Sequence, residues 1–520
     1  MKIQLARPLM PAKNNATARN TGFNMRSPSL TLLVMLQGSV SAASLVVEIV
    51  AGRMLAPYVG MSLYTWTAII AVVLAGFSAG HWWGGRLAER SAKTSIRLTG
   101  WILMAAAIST GASAWLLSVS AAPILQIVGH PVWSIVAIAT AVFFLPSLFA
   151  GVPAPVLTQI AIDTQARSGP ALGALFAAGA IGAIAGTLLA GFVFVSWLGS
   201  SGTLAIVTVA YVVTALICLS LGKGRLVVAL ILTVIALVLA ARGAFGASPC
   251  DVESRYFCIR SVDISADPSS PVRLMALDHL VHGISAERLP RIAFTEHAAM
   301  LQELALIRAP RPDFSSFFIG GGTYSIPRAF HDIGAGPATV AEIDPMVTKI
   351  AARDFWFDPT TATVFSEDAR VALRNRPEAR YDIIIGDAFT DIAVPAHLVT
   401  QEFFALAKDR LTPDGSYLMN VIDFEDRLNT LSAVVRTLQT VFPVVEVWTH
   451  QQMPEAGARM VFVIAAGQTP TEVGSFTVPA PDRMTFGALS QGWVDQLVAR
   501  SDLLLTDNYA PIDRLMGRTD

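Results

Sequence analysis

Hydrophobic residues run almost without interruption through the first half of the chain and are broken up by polar residues in the second half. A helix that crosses a bilayer needs about 20 mostly apolar residues, because its backbone groups must be paired within the segment. The pattern predicts a polytopic helical membrane domain over residues 29–246, after a cytoplasmic tail over residues 1–28. About seven spans are predicted: Leu30–Val50, Ser62–Gly84, Leu98–Ser118, Val132–Ala150, Ala171–Trp197, Thr203–Leu221 and Leu226–Ala244.

The second half has the pattern of a soluble domain. From Ser315 onward, short apolar runs rich in β-branched and aromatic residues alternate with helical stretches, which is typical of a mainly parallel sheet. We therefore expect an α/β doubly wound, Rossmann-like domain of the S-adenosylmethionine-dependent methyltransferase type over residues 313–520, preceded by a small β-rich region over residues 250–312. In such a fold the ligand lies at the carboxyl ends of the strands. Seven strands are predicted, in the runs SSFFIG, ATVAEI, TATVFS, YDIIIG, GSYLMNV, PVVEVW and RMVFVIA.

Composition narrows the functional classes. The 520 residues are 53% hydrophobic and 14% charged, against about 25% charged residues in an average soluble domain. This excludes an ordinary soluble enzyme and favours a membrane half, in contact with a lipid bilayer, joined to a soluble half. The net charge of −1 provides no field that would attract nucleic acid. The three cysteines lack the spacing of zinc ligands, and no metal is expected.

Glycines and acids mark the expected ligand site. Gly320, Gly321 and Gly322 follow the first predicted strand, where glycine lets the backbone turn tightly and approach a ligand. Glu342 ends the second strand about 20 residues later, where an acid can accept both hydroxyls of a ribose. Asp368 and Asp387 follow the third and fourth strands. The loop GGGTYSIPR lacks the phosphate-binding pattern of ATPases, so S-adenosylmethionine or a relative of it fits better than NAD.

These motifs, in this order, resemble those of a known family. The run FFIGGGTYSIPR…VAEIDP…EDAR…YDIIIGDAF…VPAHLVTQEFF…LTPDGSYLMNVID is similar to the spermidine synthase-like proteins, the polyamine aminopropyltransferases. The resemblance covers most of the chain from Cys250 onward and is greatest to the bacterial branch in which transmembrane helices precede the enzyme domain. It extends more weakly to SLVVEIVAGRMLAPYVG and GFSAGHWWGGRLAER in the membrane half.

The resemblance implies roles for single residues. The glycine loop would hold decarboxylated S-adenosylmethionine or the product methylthioadenosine, and no permanently bound cofactor is expected. Glu342 would bind the ribose, Asp368 and Ala369 would contact the adenine, and Asp387 matches the catalytic aspartate. The segment RLMALDHLVHGIS resembles a β-hairpin that precedes the nucleotide domain in this family, so Asp278 and His282 are secondary candidates for binding the substrate. Asp391 is a third secondary candidate.

Two positions depart from the pattern of the soluble enzymes. Thr323 stands where those enzymes have an aspartate after the glycines, which puts the donor and the acceptor in question. Thr390 stands where they have a second aspartate three residues after the catalytic one, and Asp391 lies one residue further on. The isolated histidines His331, His397 and His450 are interpreted as loop or surface residues.

The function expected from these features is aminopropyl transfer to putrescine or another small amine. A carboxylate can orient the amine and help to remove its proton, so neither a metal nor a covalent enzyme intermediate is needed. Two alternatives stay open. One is a methyltransferase that uses S-adenosylmethionine itself, and the other is a membrane transporter whose soluble half senses a nucleoside. The acceptor amine is not determined, and homo-oligomerisation, common among the soluble relatives, is left open.

The sequence contains two conflicting indications of the side of the membrane on which the soluble half lies. Lysines and arginines in the N-terminal tail and in GGRLAERSAKTSIR place the N-terminus in the cytoplasm of a bacterial cell. Seven spans would then put the soluble half outside, whereas the expected donor is a cytoplasmic metabolite. Three resolutions stay open: one span is re-entrant or interfacial, the expected donor is wrong, or the domain works outside. We expect a cytoplasmic catalytic domain, and a miscounted span would lie in the glycine-rich fifth span or in the region Pro146–Pro155. Cys250 and Cys258 would stay reduced inside and could pair outside.

Overall fold

The structure is a computed structural model, and it describes residues 28–246, 248–389, 394–452 and 454–516. Its first part is entirely helical. The helices are α1 (Leu30–Val59), α2 (Leu63–Ala88), α3 (Ala92–Val128), α4 (Pro131–Gly151), α5 (Pro153–Thr164), α6 (Ser168–Leu189), α7 (Val195–Leu221) and α8 (Leu226–Phe245), with a π-helical turn over Ala190–Phe194 between α6 and α7.

Small residues determine how closely the long apolar helices pack. A Cβ atom placed on Gly182 of α6 would lie 2.2 Å from the carbonyl oxygen of Gly38 in α1, and one on Gly80 of α2 would lie 2.2 Å from that of Leu148 in α4. Backbones this close leave no room for a side chain between the helices. The glycine-rich run of the fifth predicted span therefore has a packing role.

Six described helical stretches are long and apolar enough to cross a membrane, against about seven predicted spans. The difference lies in Ser168–Gly222, which counts as one stretch of 55 residues but which the sequence analysis divided in two. Gly199 interrupts this stretch with φ 67° and ψ 179°, values outside the helical region.

A small antiparallel sheet follows the apolar helices. Its strands are β1 (Val252–Glu253), β2 (Cys258–Asp263), β3 (Val272–Leu277) and β4 (Leu280–Ala286), paired in sequence order. The predicted hairpin segment forms β3 and β4. Helix α9 (Glu296–Arg308) then leads into the larger sheet.

The larger sheet has nine strands. They are β5 (Ser316–Ile319), β6 (Ala338–Ala341), β7 (Ala362–Phe365), β8 (Tyr381–Gly386), β9 (Leu411–Phe424), β10 (Val444–His450), β11 (Arg459–Gly467), β12 (Ser475–Val478) and β13 (Met484–Ala488). Their order is β12-β13-β10-β11-β9-β8-β5-β6-β7, and β7, β6, β5, β8 and β9 pair in parallel. The helices around it are α10 (Ser325–Asp332), α11 (Pro345–Asp354), α12 (Ala369–Arg374), α13 (Gln401–Asp409), α14 (Asn429–Gln439), α15 (Gln491–Val498) and α16 (Ile512–Met516).

This topology confirms the predicted fold class. Chain order reverses at β5, because β6 and β7 lie on one side of it and β8 and β9 on the other. Such a switch point leaves a crevice at the carboxyl ends of the strands. Strand β8 is buried along its whole length, as expected for a central parallel strand.

Candidate active site

A cavity of about 800 Å³ opens at the carboxyl ends of β5, β6 and β8. All three glycines line it, together with Glu342, Asp368, Ala369 and Asp387 from the loops after β6, β7 and β8. The weaker candidates Asp278 and His282 line it from the small sheet. Asp391 lies outside the described residues. The structure thus brings the described sequence candidates to one cavity.

The glycine loop has the geometry that its sequence predicts. Gly320 has φ +92°, a conformation that few other residues adopt, and a Cβ atom there would lie 2.9 Å from the carbonyl oxygen of Asp387. A Cβ atom on Gly321 would lie 2.4 Å from the ring of the buried Tyr324. The loop is therefore closely packed against Tyr324 and the backbone of Asp387, and its remaining surface faces the cavity.

Glu342 closes this loop from the next strand. Its carboxylate accepts hydrogen bonds from the backbone N–H of Gly321 at 2.8 Å and of Asp344 at 2.9 Å. Burial raises the pKa of Glu342, and these two hydrogen bonds partly oppose the rise. Each carboxylate oxygen keeps acceptor capacity, which a ribose hydroxyl can use.

Asp368 caps α12, whose first residue is Ala369. Its carboxylate accepts from the backbone N–H of Val371 at 3.0 Å and lies 2.7 Å from Nε2 of His397. Burial acts to raise the pKa of Asp368, but the hydrogen bonds from His397 and Val371 prevail and lower it. His397, interpreted from the sequence as a loop or surface residue, is half exposed and lines the cavity beside Asp368.

Asp387 lies directly after β8, with its side chain 26% exposed. Its Oδ1 accepts a hydrogen bond of 2.9 Å from Nδ2 of Asn420 on β9, and its Oδ2 is 3.7 Å from Nε2 of His297 on α9. Asn420 is buried, and its Oδ1 has no hydrogen-bond partner in the structure. Neither Asn420 nor His297 was predicted, although an asparagine inside the apolar strand YLMNV is a signal that the sequence contains.

The two residues of the small sheet differ in what they can offer a ligand. Asp278 is buried in the turn between β3 and β4, and its Oδ1 accepts from the backbone N–H of Cys258 at 2.9 Å. Burial raises its pKa. The pKa of His282 is lowered to about 4 by burial, which outweighs the opposite effect of the Asp387 charge. His282 is therefore a neutral imidazole at pH 7.

Thr323 is 2% exposed and faces the small sheet. A Cβ atom on Gly283 of β4 would lie 2.6 Å from the hydroxyl oxygen of Thr323, so the glycine loop and β4 are in close contact here. Position 323 itself therefore provides no carboxylate to the cavity wall, although the resemblance leads one to expect an acid there.

Membrane-domain residues reach the same cavity. Arg53 near the end of α1 and Met61 before α2 contribute to its wall. The guanidinium of Arg53 donates to the carbonyl oxygen of Ser254 at 2.8 Å and also to that of Tyr256. The N-terminal helices and the C-terminal domain are thus in direct polar contact beside the cavity.

Comparison with known proteins finds one family model that matches part of the sheet domain. The family model described as the spermine/spermidine synthase domain matches residues 319–473, which begin at the end of β5 and include Asp387. A polyamine aminopropyltransferase of Vibrio vulnificus is 29% identical over 226 residues, 40% of this chain and 72% of that protein. An N-terminal histidine N-methyltransferase of Emericella nidulans is 33% identical over 169 residues, 30% of each chain.

A third relative matches more of the chain. Polyamine aminopropyltransferase 2 of Streptomyces coelicolor is 27% identical over 374 residues, 68% of this chain and 64% of that protein. This alignment is longer than the whole stretch from Cys250 to the C-terminus, so it extends into the membrane half. The C-terminal region of the chain therefore contains a spermine/spermidine synthase domain, which follows an N-terminal region of apolar helices long enough to span a membrane.

Proposed function

We propose that this protein is a membrane-bound aminopropyltransferase that moves the aminopropyl group of decarboxylated S-adenosylmethionine to an amine such as putrescine and releases methylthioadenosine. One observation carries the proposal. Asp387 lies at the end of a central strand, in the same cavity as the glycine loop and Glu342. A carboxylate for an amine and a site for a nucleoside therefore face each other.

The nucleoside would bind along the carboxyl edge of the sheet. Glu342 accepts the ribose hydroxyls with the acceptor capacity left by its two backbone hydrogen bonds. The adenine lies against Asp368 and Ala369 at the start of α12. The sulfonium then lies near the glycine loop, within reach of an amine held at Asp387.

The chemical step is a displacement at carbon. The attacking amine loses a proton, and its lone pair forms the new N–C bond to the methylene group next to sulfur. The C–S bond breaks with its electron pair going to sulfur, which leaves neutral methylthioadenosine. Asp387 orients the amine and accepts its proton, with His297 beside it, and alignment of the two reactants supplies much of the rate.

The hydrogen bonds between Arg53 of the membrane region and the enzyme domain give the membrane region a structural role in this function. Its helices anchor the enzyme domain in the cell membrane, and Arg53 binds the turn between β1 and β2 of that domain. Because Arg53 and Met61 also line the cavity, the membrane region forms part of the wall that an acceptor meets.

A second candidate function is methyl transfer from S-adenosylmethionine. The observation that favours it is Thr323, which provides no negative charge for the aminopropyl ammonium of a decarboxylated donor. Without that charge the site discriminates less against the carboxylate of S-adenosylmethionine. The matched N-terminal histidine N-methyltransferase of Emericella nidulans agrees with this alternative.

Full-length protein in detergent tests both candidates. Decarboxylated S-adenosylmethionine is supplied with putrescine, cadaverine or spermidine, S-adenosylmethionine is run in parallel, and products are followed by mass spectrometry. Methylthioadenosine together with an aminopropylated amine supports the proposal. S-adenosylhomocysteine with a methylated amine supports the second candidate. Nucleoside binding without any product contradicts both.

A further inference from the structure

The direction of each membrane helix can be read from the structure. The turns Gly60–Ser62, Glu89–Ser91 and Gly129–His130 are two or three residues long, so α1, α2, α3 and α4 alternate in direction. The same holds for α7 and α8, which are joined by residues 222–225. The direction of the glycine-rich helix α6 then determines whether the chain crosses the membrane an odd or an even number of times.

Glycine contacts show that α6 runs parallel to α1. Gly182 lies against Gly38, and Gly186, one turn further along α6, lies against Ala42, one turn further along α1. Since α4 runs opposite to α1, α6 crosses back towards the face where α1 ends. The fifth predicted span is therefore a full crossing and not a re-entrant loop.

The chain reverses direction again at Gly199. Gly222 at the end of α7 lies against Arg97 near the start of α3, and Gly100 lies against Ala215, one to two turns earlier in α7. This part of α7 is thus antiparallel to α3, and hence to α6. At 1.5 Å a residue, a straight helix of 55 residues would be about 80 Å long, far beyond a hydrocarbon core of about 30 Å. The break at Gly199 divides this stretch into two crossings.

Seven crossings leave the two ends of the membrane domain on opposite faces. Helix α1 starts at one face, and α8 ends at the other, beside the enzyme domain. Two contacts tie the enzyme domain to that second face. Arg53 donates to the carbonyl of Ser254, and the backbone N–H of Ser200, next to the break, donates to the carboxylate of Glu253 at 2.9 Å.

The basic residues are divided unequally between the two faces. In the described residues 28–246, seven lie at the face where α1 starts: Arg86, Arg90, Lys93, Arg97, Arg167, Lys223 and Arg225. Two lie at the face of the enzyme domain, Arg53 and Arg242. The sequence of the N-terminal tail adds five more lysines and arginines before α1. An excess of Lys and Arg marks the cytoplasmic side of a membrane protein.

A disulfide gives an independent indication. Cys250 and Cys258 are bonded to each other, which ties the segment after α8 to the first residue of β2. Cytoplasmic thiols are kept reduced, whereas disulfides persist in oxidising compartments. The remaining cysteine, Cys218, is free and buried in α7.

From these observations we infer that the enzyme domain lies on the extracytoplasmic side of the membrane, contrary to the expectation from the sequence. If the proposed function holds, the site meets its substrates outside the cytoplasm. The sulfonium nucleoside is made from an intracellular metabolite, so an export step has to supply it, and methylthioadenosine is released on the same outer side.

Labelling of single added cysteines tests the sidedness. Asp414→Cys adds a thiol at an exposed position of the enzyme domain, and Glu89→Cys adds one at an exposed position between α2 and α3. We expect a membrane-impermeant maleimide to label Asp414→Cys in intact spheroplasts at least tenfold more than Glu89→Cys. Permeabilised cells should label both equally. Labelling of Glu89→Cys alone in intact spheroplasts would overturn the inference.

Two further measurements separate sidedness from function. Cys250 and Cys258 should resist alkylation until a reductant is added, and Cys258→Ser should expose Cys250 to the maleimide in intact spheroplasts. Reactive thiols in the unreduced wild-type protein would contradict the inference.

Decarboxylated S-adenosylmethionine added outside spheroplasts should yield methylthioadenosine, whereas sealed inverted vesicles should yield none. Outside labelling without turnover in either preparation would contradict the proposed function and leave the sidedness intact.

Discussion

Asn420 donates a hydrogen bond of 2.9 Å to Asp387 from the neighbouring strand. The two residues are 33 positions apart, and the parallel pairing of β8 with β9 brings them together. Gly386 pairs with Met419, so the next residue on each strand faces the cavity mouth at the same level. The position of the candidate catalytic carboxylate is thus determined by strand register, and its orientation is fixed by the amide of Asn420.

Removal of the negative charge at Asp387 should stop turnover and leave nucleoside binding intact. Asp387→Asn keeps the shape of the side chain but cannot accept the proton of the amine, and general-base groups contribute on the order of 10²–10⁴-fold in rate. Methylthioadenosine release and methylthioadenosine affinity, by mass spectrometry and calorimetry, check both parts. Asp414→Asn, at an exposed position near the start of β9, is the matched control. Unchanged turnover in Asp387→Asn would remove this residue from the mechanism.

Loss of the amide at Asn420 should reduce turnover without abolishing it. A hydrogen bond to a charged group contributes about 1.5–3 kcal/mol, and each 1.4 kcal/mol of barrier corresponds to about tenfold in rate. We expect Asn420→Ala to lower kcat at least tenfold with little change in KM for the donor. Asn375→Ala, at an exposed position after α12, controls for the substitution itself. A change confined to thermal stability would show that Asn420 is only structural.

Much of the enzyme domain could be predicted from the sequence. Strands β5 to β8 are short apolar runs bounded by turns, and their period and composition identify them. Strands β12 and β13 were not predicted. Strand β12 lies at the sheet edge, where Ser475 and Thr477 interrupt the apolar pattern, and β13 is a short strand beside it. The first residues of β9, with Pro413 and Gly415, have the sequence of a turn, yet they continue the strand.

The site was only half predictable. Gly320, Glu342 and Asp387 each follow a strand directly, and parallel topology brings such positions to one edge. His297 and His397 come from α9 and from the segment before α13, and no local pattern relates them to the sheet. The sidedness raised a different difficulty, because the predicted span count and the expected donor gave opposite answers. The inference made above needed the contacts between helices, which support the division of Ser168–Gly222 into two crossings at Gly199.

An acid at position 323 should change donor preference. In Thr323→Asp the new carboxylate would attract the ammonium of decarboxylated S-adenosylmethionine and repel the carboxylate of S-adenosylmethionine. We expect the ratio of kcat/KM for the two donors to shift at least tenfold towards the decarboxylated one. Thr323→Asn, of similar size but without charge, separates charge from crowding against Gly283. An equal shift in both variants would mean that crowding, and not charge, selects the donor.

The partly buried imidazole of His282 should make the protein less stable in mild acid. Its folded-state pKa of about 4 lies below the ordinary value of 6.5, so the unfolded state binds more protons between these values. Stability therefore falls as pH drops from 6.5 towards 4, by up to about 3 kcal/mol from this residue. His282→Gln should flatten the pH dependence of the Tm in detergent over this range. The exposed His331→Gln should leave the slope as it is in the wild type, and a wild-type slope in His282→Gln would contradict the assignment.

The contact between Gly182 and Gly38 should be essential for packing α6 against α1. A side chain at Gly182 would overlap the carbonyl oxygen of Gly38, whereas Gly173 in the same helix has nothing within 4 Å of its Cβ position. Gly182→Leu therefore has to push the helices apart, and overpacking costs about 1–3 kcal/mol or more. Gly173→Leu makes the same chemical change on an open face. We expect a Tm lower by several degrees in detergent for Gly182→Leu alone. Equal Tm values for the two variants would mean that α6 does not pack on α1 through its glycine face, and the direction assigned to α6 would lose its support.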